Sequence, residues 1–100
     1  MATTSKVLFR GAASTSSTTL YTTPSATTTI VTNILVANTA ASSATFDILL
    51  DDVLIANDVS LSANSLTAID LKQVLVATDT IKGLASATTV NFHISGVEIA

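Results

Sequence analysis

The sequence has no cysteine and no tryptophan, and it has one proline, three glycines and one histidine. Without cysteine, neither disulfide bonds nor thiolate metal ligands can stabilise the fold. A domain of 100 residues buries roughly 60–65% of the surface that its unfolded chain exposes, so it folds with little margin. Oligomerisation is the remaining common source of additional burial. The composition therefore favours one small domain that associates with other copies.

Charged residues are also few, at 11% of the chain, and the only cations are Lys6, Arg10, Lys72 and Lys82. With a net charge of −3, the chain has no basic patch of the kind that binds nucleic acid. The longest mostly apolar stretch, residues 30–37, is far shorter than the ~20 residues that span a bilayer. The first ten residues lack the apolar stretch of a signal peptide. We therefore expect a protein that is made in a cytoplasm and has no nucleic-acid or membrane partner.

Small and hydroxyl-bearing side chains dominate what is present, with 30 Ser and Thr and 15 Ala. Apolar residues make up 48% of the chain, and the mean hydropathy is +0.62. A disordered chain would combine low hydrophobicity with high net charge, which is not the case here. Thr, Val and Ile at this density favour extended backbone over helix. The sequence therefore predicts a folded, β-rich domain.

Short apolar segments separated by polar turns recur about every 8–12 residues, which is typical of an all-β fold. They predict an antiparallel β-sandwich, or a jelly-roll-like barrel, of about eight short strands. Residues 20–100 form this domain, and residues 1–19 are predicted to be an N-terminal arm with one short strand. Only residues 66–76 have a helical alternative. The predicted strands are Lys6–Arg10, Leu20–Thr22, Thr28–Asn38, Thr45–Leu50, Val53–Ile55, Val59–Leu61, Leu66–Leu71, Thr80–Leu84 and Thr89–Ile94.

Alternation within these segments predicts which side chains face the core. The inward set in the fourth and last segments is Phe46, Ile48, Leu50, Val90, Phe92 and Ile94. In the segment of residues 28–38, one face carries Ile30, Ile34 and Val36, and the other carries Val31, Leu35 and Ala37. Apolar positions change parity after Gly96, which predicts a bulge at Ser95-Gly96. Asp51-Asp52 stands where a two-residue hairpin turn belongs, since Asp tolerates positive φ.

Residues that support catalysis are scarce. The single histidine, His93, is predicted to point outward from a strand, where a surface or interface role is expected. The many hydroxyls are inert without an oriented base. Asp47, Asp51, Asp52 and Asp58 surround one hairpin and could offer oxygen ligands to calcium, but their spacing matches no calcium loop. Their role is predicted to be in turns, so we expect no enzyme activity, no metal site and no cofactor.

Five segments carry a further signal, namely Leu20–Pro24, Ile30–Ile34, Ala37–Thr39, Asp79–Ile81 and Asn91–Glu98. They resemble segments of small virion structural proteins of tailed phages and prophages, in particular capsid decoration (cement) proteins. The likeness runs from about Lys6 to the end of the chain. In the family pattern, Pro-Ala-Gly is common where this chain has Pro24-Ser25-Ala26, and Asp-Gly where it has Asp51-Asp52. These departures affect turns and not the core.

The resemblance implies a β-sandwich that forms homotrimers on the exterior of a virion and binds the major capsid protein or another virion protein. The alternatives are a neck, tail or baseplate module, or a module that binds glycans on the host surface. Under the first of these roles, Lys6 and Arg10 are expected to contact the shell. The expected subunit interface consists of Val31, Leu35, Ala37, Val97 and Ile99.

Overall fold

The computed structural model describes residues 2–100, which form eight strands in two antiparallel four-stranded sheets. Sheet A has the order β1-β8-β3-β6, and sheet B has the order β2-β7-β4-β5. The predicted all-β sandwich is confirmed. Among the described residues, no helix has the length and apolar character needed to cross a membrane. The strands are β1 (Thr3–Ala12), β2 (Thr18–Thr22), β3 (Thr28–Asn38), β4 (Ala44–Leu50), β5 (Val53–Leu61), β6 (Leu66–Leu75), β7 (Thr80–Ala85) and β8 (Val90–Ile99).

The pairing of the strands follows a simple order along the chain. The first strand pairs with the last, the second with the seventh, the third with the sixth and the fourth with the fifth. The β3–β8 and β4–β7 pairs then complete each sheet. This is the arrangement of a jelly roll, in which a long folded hairpin is wrapped into two facing sheets.

Most strands extend further than local pattern predicts, because pairing with a neighbour recruits polar residues. The predicted strand at residues 6–10 is part of β1, which covers residues 3–12 and forms one edge of sheet A. The two segments predicted at residues 53–55 and 59–61 are one strand, β5. The helical alternative for residues 66–76 is wrong, since residues 66–75 pair with β3 along its length. Tertiary pairing overrides local propensity here.

The core lies between the two sheets and contains the side chains that alternation assigns to it. Phe46 on β4 and Phe92 on β8 are buried and meet edge to face, with ring centroids 6.2 Å apart and an interplanar angle of 74°. Such edge-to-face contacts add to the free energy gained from burying the rings. The other large, fully buried apolar side chains are Ile34, Ile48, Leu61, Ile81, Ile94, Val31, Val36 and Val90.

The bulge in this part of sheet A lies in β3 and not in β8. The register of β3 against β8 shifts between Val31 and Asn33, so Thr32 is the extra residue. Because of this shift, Val31 is fully buried beside Ile34 and Val36, and Ile30 joins the opposite face. The predicted division of faces in β3 is therefore wrong at residues 30 and 31. The strand β8 alternates without interruption through Gly96, so the predicted bulge at Ser95-Gly96 is also wrong.

In two turns the chain lacks the glycine of the pattern described above but keeps the backbone conformation that glycine favours. Asp51 and Asp52 have φ angles of 50° and 63°, as a tight two-residue hairpin requires. Ala26 has a φ of 54° at the position where the family pattern has glycine. This left-handed region is costly for a residue with a Cβ atom. Both positions where the pattern prefers glycine thus adopt the backbone conformation that favours it.

Candidate interaction surfaces

The outward face of sheet A is the broadest surface with apolar side chains from several strands. Cross-strand rows can be followed through the paired residues of β1, β8, β3 and β6. One row contains Ser5, Val97, Ile30 and Val74, and the row at the far end contains Ala12, Asn91, Ala37 and Leu66. The apolar members of the face belong mainly to β3, β6 and the end of β8. We call this surface the sheet A face.

The structure places four of the five predicted interface residues on the sheet A face. Leu35 and Ala37 point outward from β3 and are half-buried, as are Val97 and Ile99 on β8. Val31 does not belong to this surface, because it is enclosed in the core. Ile30 takes its place, and sequence reasoning missed it because the alternating pattern gives no sign of the extra residue at Thr32.

The two predicted shell-contact cations lie on β1 in different settings. The Lys6 ammonium lies 3.3 Å from the Glu98 carboxylate, so it is engaged within the protein. Arg10 is exposed and pairs with His93 across the β1–β8 ladder, which places both side chains on the sheet A face. Within residues 2–100, Arg10 has no carboxylate within salt-bridge distance. Of the two, Arg10 is the cation available to a partner.

A polar cluster connects four strands near one end of the sandwich. The Tyr21 hydroxyl on β2 donates a hydrogen bond to Glu98 on β8 and lies 2.8 Å from the Thr29 hydroxyl on β3. Burial, and after it the hydrogen bond to Glu98, raises the pKa of Tyr21 to about 12. The same hydrogen bond, with a smaller contribution from Lys6, lowers the pKa of Glu98 below its ordinary value. The cluster therefore holds an ionised carboxylate between the sheets.

A second polar cluster, around Asn38, joins the loops at the opposite end of β3. The side-chain nitrogen of Asn38 donates hydrogen bonds to the carbonyl oxygens of Ser42, at 2.8 Å, and Ser62, at 3.3 Å. Its side-chain oxygen accepts from the Ala40 amide at 3.1 Å and from the Thr89 hydroxyl at 3.3 Å. Asn38 is buried, so these bonds satisfy a side chain that water does not reach. Sequence reasoning placed Asn38 only at a strand end and missed this role.

The carboxylates around the β4–β5 hairpin mainly make structural contacts with a backbone amide and with one lysine. Asp47 accepts a 2.7 Å hydrogen bond from the Asp58 amide, and Asp52 pairs with Lys82 at 2.6 Å. The nearby Asp79 carboxylate raises the pKa of Asp51 by charge repulsion. In the part of the chain that the structure describes, no three His, Cys, Asp or Glu residues are grouped as a metal site requires.

The flank formed by the edge strands β5 and β6 exposes further apolar side chains. Val53, Leu54 and Ile55 are 64%, 49% and 45% exposed at the start of β5. Leu66 and Val74 on β6 are exposed to a similar degree, as is Val76 just after it. These residues contribute little to the core, so their apolar character is not explained by the folding of one copy.

Comparison with known proteins shows the fold and leaves the family open. No family model matches the chain, and no curated protein matches it. A chain of the T13 IBDV viral particle is similar over 97% of this chain, with a TM-score of 0.60 and 9% identity. Two structures of a pentameric capsid protein isolated from metagenomic phage sequences cover 92% of this chain at 20% identity, with TM-scores of 0.47.

This chain spans only part of each of those proteins. It covers 30% of the IBDV particle chain and 59% or 60% of the phage capsid chains. At 9% identity, the likeness to the IBDV particle chain establishes a shared fold alone. The jelly roll of this protein is therefore a fold that a viral particle protein also uses. A fold hosts many functions, so the role has to be argued from the surfaces.

Proposed function

We propose that the protein is a structural component of a phage virion and acts as a capsid decoration (cement) protein. The observation that carries this proposal is the sheet A face, where Leu35, Val97 and Ile99 point outward from a domain whose core is already complete. Apolar side chains in this arrangement are suited to a protein surface and not to a small substrate. The sequence segments that resemble decoration proteins support the same reading.

We assign the sheet A face to contact with the shell, although the resemblance assigned its residues Leu35, Ala37, Val97 and Ile99 to the subunit interface. Arg10 and His93 lie together in one row of this face, next to Leu35. An apolar surface surrounded by polar side chains fits an interface with another protein. A decoration protein needs only modest contact per copy, because several subunits bind together and multiply the effect. The partner expected at this face is the major capsid protein.

The proposal is tested with particles of the phage that encodes this chain. Particles without the protein are mixed with purified protein, and the temperature at which the shell ruptures is measured by the release of the genome. We expect binding and a higher rupture temperature. The double variant Val97→Lys, Ile99→Lys is expected to lose both effects. The control is Thr45→Lys, which changes a half-buried residue on the outer side of sheet B.

Three results would contradict this role. Purification of the protein with tails instead of heads would support the neck, tail or baseplate alternative. Absence of the protein from every particle fraction, combined with affinity for host polysaccharide, would support the glycan-binding alternative. A bound protein that leaves the rupture temperature unchanged would also exclude a cement function.

A further inference from the structure

The exposed apolar residues of the molecule are concentrated on one side. Among residues 2–100, six of the seven exposed large apolar side chains belong to β5, to β6 or to the position just after β6. These strands are edges of the two sheets. The opposite edges are β1 and β2, which lie next to each other across the sandwich. We call the two sides the β5–β6 flank and the β1–β2 flank.

The two flanks carry opposite charge. Residues 1–46 contain Lys6 and Arg10 and no acidic residue. Lys6 is paired with Glu98, so Arg10 is the positive charge that the β1–β2 flank offers to a partner. The β5–β6 flank has one cation, Lys72, against four carboxylates in and beside its strands, namely Asp51, Asp52, Asp58 and Asp70. A surface of one sign on one side and of the other sign on the opposite side is complementary to a second copy of the same chain.

Arg10 and Asp70 are placed to meet in such a contact. Both point outward on the sheet A face, at its two opposite edges, and both are exposed. The cross-strand row that begins at Arg10 on β1 ends at Ala68 on β6, two residues from Asp70. The row of Asp70 ends at Val7 on β1, so Arg10 and Asp70 lie in neighbouring rows of the sheet A face. When copies are related by rotation about an axis parallel to the strands, equivalent residues of all copies lie at the same position along that axis. Arg10 of one copy then lies beside Asp70 of the next.

Sheet B offers an apolar counterpart at its edges. Val53 on β5 lies in the same cross-strand row as Tyr21 on β2, through Leu50 and Ile81. Leu54 lies in the row of Thr19, and Leu20 is half-buried between these two β2 positions. The same arrangement of copies therefore places Val53 and Leu54 of one copy against the Leu20 and Tyr21 region of its neighbour.

We propose that the β5–β6 flank of one copy binds the β1–β2 flank of the next, so that copies of the chain close into a ring. Contacts between two different surfaces of identical subunits form rings when the rotation closes. The contact is made by side chains, because each of the four edge strands contains a register shift that interrupts a continuous ladder. This inference rests on the self-association within the proposed function and supplies its interface.

The test uses the purified full chain in solution, without particles. Light scattering after size-exclusion chromatography, over a dilution series, is expected to give a closed oligomer of defined mass. Arg10→Glu and Asp70→Arg are each expected to raise the concentration at which the oligomer dissociates by several-fold. The double variant Arg10→Glu, Asp70→Arg restores the opposite charges, and we expect its assembly to return towards that of the wild type. Leu54→Lys is expected to weaken assembly without unfolding the monomer.

The control is Thr88→Glu, which adds a negative charge at an exposed position in the turn between β7 and β8, outside the strands of both flanks, and is expected to leave assembly unchanged. A wild-type monomer at all concentrations overturns the inference. So does an oligomer that Leu54→Lys disrupts but Arg10→Glu does not, since that pattern indicates a dimer through two β5–β6 flanks. A monomer that still binds and stabilises shells would overturn the ring and leave the proposed function standing.

Discussion

Tyr21 on β2 donates a hydrogen bond to Glu98 on β8, so a side chain of sheet B directly contacts a carboxylate of sheet A. Lys6 on β1 and Thr29 on β3 complete the cluster. Glu98 points inward because β8 alternates without a bulge, while its neighbours Val97 and Ile99 point to the sheet A face. One alternating segment thus supplies both an internal polar contact and part of the proposed shell-binding surface.

The low-pH behaviour of this contact can be predicted. The pKa of Glu98 in the folded protein lies below its ordinary value of 4.5, chiefly because Tyr21 donates to the carboxylate. Its contribution to stability is therefore complete above about pH 4.5 and is lost as the pH falls through the lower folded pKa. We expect Glu98→Gln to reduce the dependence of the unfolding free energy on pH in this range, as measured by urea denaturation. Equal slopes for Glu98→Gln and wild type would contradict the prediction.

At alkaline pH the same contact is predicted to lose its stabilising effect as the pH rises. Tyr21 has a pKa of about 12 in the folded protein, against about 10 for an unperturbed tyrosine. The folded state should therefore lose stability as the pH rises from about 10 towards 12, because only the unfolded chain releases this proton there. Tyr21 is the single tyrosine and the chain has no tryptophan, so the tyrosinate absorbance reports this residue alone. A folded-state midpoint near the ordinary value would contradict the hydrogen bond to Glu98.

Gly96 is required because the β3 bulge brings the backbone of Ile30 close to β8. A Cβ atom at residue 96 would lie 2.4 Å from the Ile30 carbonyl oxygen and 2.8 Å from the Leu8 side chain. We expect Gly96→Ala to lower the free energy of unfolding by roughly 1–3 kcal/mol, the usual cost of forcing extra volume into a packed site. In Gly11→Ala the nearest contact is the Phe9 ring at 3.3 Å, so a much smaller loss is expected. Equal losses in thermal denaturation would contradict this reasoning.

Asn38 is predicted to be the most important polar side chain of the loops at its end of the sandwich. Asn38→Ala removes the partners of the Ser42 carbonyl and the Ala40 amide. Leaving such groups unsatisfied costs about 1–3 kcal/mol, which urea denaturation should detect. The matched control is Asn57→Ala, because Asn57 is exposed on β5. Similar effects for the two variants would show that the hydrogen bonds of Asn38 are not decisive.

Ala26 provides a test in the stabilising direction. Its φ of 54° lies in the left-handed region, which glycine adopts without the steric cost that a Cβ atom brings. We expect Ala26→Gly to increase the free energy of unfolding by about 0.5–1 kcal/mol, although the greater freedom of glycine in the unfolded chain offsets part of the gain. Ala41→Gly, in an exposed loop without positive φ, should be neutral or slightly destabilising. A loss of stability in Ala26→Gly would contradict the assignment of strain to this turn.

Local pattern determined the class of fold and much of the core. The alternation of Phe46, Ile48 and Leu50, and of Val90, Phe92 and Ile94, assigns these side chains to the interior because strand side chains repeat with a period of two. The Asp51-Asp52 turn was equally readable, since few residues tolerate the φ angles that a tight hairpin needs. These features depend only on neighbours in sequence.

Tertiary structure decided which residues reach the surfaces. A periodic pattern cannot show which of two paired strands takes up an extra residue, and here it is Thr32 on β3 that does so. That choice buries Val31 and turns the half-buried Ile30 to the sheet A face, and it keeps Val97 and Ile99 outward by leaving β8 regular. The pairing of distant strands also places Arg10 and Asp70 at opposite edges of one sheet. The sequence alone determined a β-sandwich with an alternating core, whereas the surfaces available to partners depend on register between strands far apart in the chain.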